Sequence, residues 1–100
     1  MHSIVYEPII LSDYLQHVEE ASHGAICSFL GVVRNHHEGN CVQRIEYHCY
    51  EEMALKMLAR IEEEIEAKFP GVKSALVHRV GMVELSEASV LVLSGSAHRK

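Results

Sequence analysis

Residues 24–34 read Gly24-Ala25-Ile26-Cys27-Ser28-Phe29-Leu30-Gly31-Val32-Val33-Arg34. No charge interrupts the run before Arg34, and its branched and aromatic side chains favour extended backbone. Because it is apolar on both faces, the stretch is expected as the central strand of a sheet. It then stops and presents Arg34, with Asn35, His36 and His37 behind it. A second exit of the same kind closes the chain. There the apolar run 90–93 leads into Ser94-Gly95-Ser96-Ala97-His98-Arg99-Lys100. Arginine offers a planar fork of donors to phosphate or carboxylate, and histidine donates or accepts near neutral pH. Two such exits point to a small anionic ligand.

Working outward, residues 3–6 form a short edge strand that Pro8 ends. Ser12 caps a helix running through Leu15, Val18 and Glu19 to about Ala21, with Asp13 in its first turn. Residues 35–40 are a polar loop containing Gly39, long enough to be mobile. Residues 42–50 alternate, with Ile45, Tyr47 and Cys49 on one face and Arg44, Glu46 and His48 on the other, a half-exposed strand. Residues 51–69 give the clearest helix. Ala54, Leu58, Ile61 and Ile65 line one side of it with Met57 beside them, and Pro70-Gly71 ends it. Residues 72–80 and 88–94 are two more strands, with a turn at Gly81 and a short extension over 82–85. The order βαββαββ, with short loops between neighbouring strands, predicts an α+β fold. Its mixed, largely antiparallel sheet carries two helices, and residues 1–100 make one domain.

Composition narrows the function. The 48% hydrophobic content supports a modest core, so the chain is globular. No apolar run is long enough to span a bilayer, and Met1-His2-Ser3-Ile4 lacks a signal pattern, so a soluble, cytoplasmic protein without membrane contact is expected. A formal net charge of -5 argues against a nucleic-acid partner. The acid crowds at Glu51, Glu52, Glu62, Glu63, Glu64 and Glu66, whereas the bases gather at the two exits. Cys27, Cys41 and Cys49 show no CxxC spacing. Cys27 and Cys49 read as small buried thiols on strand faces and Cys41 as an exposed one.

Each candidate has a bland alternative. Arg34 in isolation is an exposed strand-end arginine, but here it stands between an apolar strand and a histidine-bearing loop. His36-His37 lack a third ligand at useful spacing, so no metal is expected there. His78 continues the Val72, Leu76 and Val80 row and reads as a core or interface histidine, with Arg79 on the opposite face. His48 and Tyr50 either border a pocket or meet solvent, and the glutamate run 62–64 reads as a solvated helix face. No nucleophile triad, phosphate loop or catalytic carboxylate pair is present in the sequence.

Four ordered motifs carry a resemblance. They are Gly24-Ala25 through Phe29-x-Gly31-x-Val33-Arg34-Asn35-His36, then Ile45-Glu46-Tyr47-x-x-Tyr50-x-x-Met53-Ala54. Val77-His78-Arg79-Val80-Gly81 and Ser96-Ala97-His98-Arg99 follow. Across nearly its whole length the chain resembles the large, catalytic subunit of molybdopterin synthase. The resemblance implies sulfur transfer in molybdenum cofactor biosynthesis, converting cyclic pyranopterin monophosphate to molybdopterin. It implies a small ubiquitin-like partner whose C-terminal thiocarboxylate delivers the sulfur, and a homodimer of large subunits within a heterotetramer. No cofactor or metal is implied for this step. By position, Val32, Val33 and Arg34 match the family's first substrate-binding stretch, and His98 and Arg99 its second.

The family pattern continues past the His-Arg pair into a segment bearing catalytic lysines. Lys100 matches neither of them, so the domain is expected to lack that segment and the catalytic residues stay unassigned. The alternative from a different class is a binding module that docks the small subunit or a pterin phosphate without catalysing transfer. Ser86 stands where the family commonly has glycine before the acidic residue, which is expected to alter that turn.

Overall fold

The computed structural model describes residues 1–34, 36–37, 40–41, 44–47 and 50–97, with side chains for 1–34 and 50–97. His98, Arg99, Lys100, Asn35, Gly39, His48 and Cys49, with the side chains of His36, His37 and Cys41, lie outside that description.

The main sheet has four strands. They are β1 (His2–Val5), β2 (Ala25–Val32), β6 (Lys73–Arg79) and β8 (Ala88–Ser96), in the order β1-β6-β8-β2. β1 runs parallel to β6, while β6 with β8 and β2 with β8 are antiparallel. β3 (His36–His37) pairs antiparallel with β4 (Asn40–Cys41), so part of the expected polar loop carries paired backbone. A separate ribbon pairs β5 (Arg44–Tyr47) with β7 (Gly81–Glu84), which is the extension expected over 82–85. Gly81 makes the entry to β7 at φ +90°, a left-handed value that suits glycine. The α+β class with a mixed, largely antiparallel sheet is as expected, and among the described residues no helix is long and apolar enough to cross a membrane.

Two layers cover the sheet. Strand alternation aligns Val5, Ala75, Val77, Leu91 and Leu93 on one face, where they join Ile9, Val18 and Ala88 in the core. Leu11, Tyr14 and Leu15 pack over that core from the segment between β1 and β2. That segment differs from the expected helix: it makes two consecutive 3-10 turns, Leu11–Asp13 and Leu15–His17. Neither turn has a side-chain cap, so Ser12 does not start a regular helix. The tight turns place Val18 fully inside.

Helix α1 (Glu51–Lys68) packs against β1 and β6. Glu51 and Glu52 in its first turn and Lys68 in its last complement the helix dipole. Its half-buried stripe is Ala54, Leu58, Glu62 and Ile65, while Ile61 and Met57 stay exposed. Ala54, Leu58 and Ile65 are therefore placed as expected, and Glu62 takes the place expected for Ile61. The cause is electrostatic: the Glu62 carboxylate lies 3.0 Å from the Met1 amino group and 3.0 Å from His2 Nδ1. Glu62 thus leaves the solvated face on which the sequence reading placed it.

The largest departure concerns β2. It forms an edge of the four-stranded sheet, and most of its side chains are exposed, including Ile26, Leu30, Val32 and Cys27. Phe29 is 62% exposed. Pairing order decides this: β2 hydrogen-bonds only to β8 in that sheet, which leaves its outer side uncovered among the described residues. For the same reason Cys27 is not the buried thiol expected from its neighbours.

Two predictions follow from these contacts. Burial pushes the Glu62 carboxyl upward, but hydrogen bonds from the Met1 amino group and His2 outweigh it, and the folded value lies below the ordinary 4.5. Its stabilisation is therefore complete above that value and disappears as pH falls through the lower folded value. Glu62→Gln should cost about 1 kcal/mol near neutral pH and flatten part of the acid limb, measured by urea unfolding across pH. Ser86 holds φ 68°, the one non-glycine positive φ among the described residues. Ser86→Gly should raise stability by about 0.5–1 kcal/mol in the same unfolding assay, because glycine adopts this conformation without a Cβ clash.

Candidate functional site

The candidate site begins where β2 ends. Its register with β8 runs regularly from Ala25↔Ser96 to Gly31↔Val90, then jumps to Val32↔Ala88. Ser89 is thus an extra residue on β8, a bulge of the kind that re-aims the strand beside it. The Ser89 hydroxyl donates to the Gly31 carbonyl at 3.4 Å. A Cβ at Gly31 would come within 2.6 Å of Val90 Cγ1, so any larger residue would force Val90 to shift.

Beyond the bulge the backbone is held from both sides. The Val33 N–H donates to the Glu87 carbonyl at 3.0 Å, and the Val33 carbonyl accepts from the Ser86 N–H at 2.8 Å. Val33 is 2% exposed, whereas Val32 and Arg34 on either side reach solvent. The arrangement offers an exposed guanidinium on an immobilised backbone, suited to an anionic group arriving from solvent.

The turn that grips Val33 has its own support. Arg79 is 7% exposed and continues the Ala75–Val77 row into the interior. It is therefore the buried member of the His78-Arg79 pair, while His78 is half-buried. Arg79 Nη2 donates to the Met82 carbonyl at 3.1 Å. Nη1 lies 3.0 Å from Glu87 Oε1 but off the hydrogen-bond line, and Nε has no hydrogen-bond partner among the described residues. The same Glu87 oxygen accepts the Glu84 N–H at 2.9 Å. That amide, against the opposing effect of burial, and then Arg79 hold the Glu87 carboxyl below its usual range. The sequence offered one sign of this pair: opposite charges flanking a glycine-initiated turn.

The sequence-predicted residues do not all converge. Val32, Val33 and Arg34 sit together at the C-terminal end of β2. His98 and Arg99 lie outside the described residues, but Ser96 pairs with Ala25 at the opposite end of the same ladder. Seven strand steps of about 3.4 Å separate the two ends by roughly 24 Å. Within one chain the end of β2 and the end of β8 therefore lie at opposite ends of the ladder.

Comparison with known proteins agrees with this architecture. The family model described as MoaE protein matches residues 4–100. The molybdopterin synthase catalytic subunit of Bacillus subtilis is 41% identical over 97 residues, covering 97% of this chain and 62% of that relative. The chain thus spans less than two thirds of that relative's length. The crystal structure of molybdopterin synthase from Staphylococcus aureus superposes with a TM-score of 0.91 at 39% identity, covering 97% of this chain and 71% of that one. A molybdopterin biosynthesis MoaE protein from Burkholderia ambifaria gives 0.87 at 28% identity, covering 98% and 65%. Sequence and fold together make this chain a member of the MoaE protein family.

Proposed function

We propose that the chain acts as the large subunit of a cytoplasmic molybdopterin synthase. It converts cyclic pyranopterin monophosphate to molybdopterin with sulfur from the thiocarboxylated tail of a small ubiquitin-like subunit. The observation that carries the reading is Arg34, exposed on a backbone fixed by the Ser86–Glu87 turn, in a chain matched to the family over residues 4–100. In this role Arg34 binds an anionic group of the pterin or of the incoming tail, and Val32 and Val33 shape the adjoining wall. Sulfur transfer breaks the tail's own C–S bond, water returning the tail as a carboxylate, and fixed positive charge lowers the energy of the negative charge that develops.

The reading also takes in the homodimer. In this reading the substrate site lies between two copies, one giving Arg34 and the other the His98-Arg99 pair, a reading supported by Val32 and Ser96 standing at opposite ends of the β2–β8 ladder.

Arg34→Ala should raise KM for cyclic pyranopterin monophosphate by about 10- to 100-fold, the equivalent of one charged hydrogen-bonding partner. The assay uses the complete protein with thiocarboxylated small subunit. Unchanged KM and kcat would remove Arg34 from the site, and small-subunit association without any product would favour the docking-module reading. Mixing Arg34→Ala chains with Arg99→Ala chains should restore the wild-type KM at a share of the sites, which neither variant shows alone. Absence of restoration in verified mixed dimers would place both groups in one subunit.

A further inference from the structure

We infer that Arg79 and Glu87 are positioning residues for Arg34, acting as an internal strut that sets where the end of β2 presents its guanidinium. The inference rests on the substrate-binding reading of Arg34 and adds to it two residues that meet no ligand. Every link is a contact between named groups. Arg79 is anchored in the interior and tied to the Met82 carbonyl at 3.1 Å. Its charge meets Glu87 at 3.0 Å, and Glu87 in turn fixes the Glu84 N–H at 2.9 Å. The turn is closed by the Glu87 N–H to the Glu84 carbonyl at 3.0 Å. From this braced turn, the Ser86 N–H and the Glu87 carbonyl hold the two polar groups of Val33 at 2.8 and 3.0 Å. Arg34 is the next residue.

The chemistry explains why the strut needs these types. Arg79 uses two arms of one planar group, one on a carbonyl and one on a carboxylate, a reach that a lysine ammonium does not reproduce. Arg79 is also too enclosed to serve a ligand itself. Its charge is spent inside the protein, where without Glu87 it would lack its carboxylate partner. Glu87 is the accessible half of the pair, its side chain 32% exposed, and can be changed without opening a cavity.

The test compares wild type with Glu87→Gln, Arg79→Lys and Ser86→Gly, all in the complete protein with its small subunit. Two quantities are read: amide exchange at Val33 and Ser86, and the separate KM and kcat for cyclic pyranopterin monophosphate. Glu87→Gln should speed exchange at both amides, leave the Leu91 amide unchanged, and raise KM about tenfold with kcat within about threefold. Arg79→Lys should behave in the same way despite keeping the charge. Ser86→Gly should leave KM unaltered, because it relaxes the turn conformation without cutting the strut.

Unchanged exchange at Val33 in Glu87→Gln would overturn the inference, as would faster exchange with unchanged KM. A fall in melting temperature with both kinetic constants intact would likewise reduce the pair to a purely structural role. If Arg34→Ala itself leaves KM unaltered, the substrate-binding reading has failed, and the exchange data alone then decide whether the strut exists.

Discussion

β8 is hydrogen-bonded along both edges, to β6 on one side and β2 on the other, and the rest of the molecule takes its position from that shared ladder. Leu91 and Leu93, fully buried on β8, align with Val77 and Ala75 of β6. The same strand fixes how far β2 runs before it must leave the sheet. A slip of one residue would turn the core row outward, so burial locks the register. Locking it also decides the exits. Antiparallel pairing sends the end of β2 and the end of β8 in opposite directions.

The bulge at Ser89 is the point where this ladder is allowed to fail. The extra residue ends regular pairing just before Val33 and passes control of the chain to the turn after β7. Ladder hydrogen bonds place Gly31, and turn hydrogen bonds place Val33. The hand-over happens within two residues, which is why Val33 is buried while both neighbours are exposed.

Much of this was legible in the chain itself. Helix α1 ends within a residue of expectation because Pro70-Gly71 is an unambiguous stop, and the strands of β6 and β8 stand out by their branched apolar runs. Arg34 was legible as a strand exit. What failed did so for tertiary reasons. Nothing in an apolar strand says whether its outer edge is covered, so β2 read as central. Periodicity alone chose Ile61 for the inner stripe, and an ion pair to the chain's first two residues gave the place to Glu62. Alternation sorted His78 from Arg79 correctly onto opposite faces. It could not tell that the arginine's face was the principal core face, because Glu87, eight residues on, is what makes that burial tolerable.

Ser86 departs from local preference where this control is exerted. A non-glycine residue at φ 68° costs on the order of 1–2 kcal/mol, and the structure keeps it where its N–H can reach the Val33 carbonyl. Folding energy is thereby committed to the backbone rather than to the side chain of Arg34. That division suits anion capture. A guanidinium on a loose loop would surrender backbone entropy each time it closed on a ligand, offsetting much of the charged hydrogen bond. With Val33 held on both sides, only the Arg34 side chain has order left to lose. Arg79 and Arg34 thus carry the same charge in opposite roles: one is enclosed so that the other can be exposed in a fixed place.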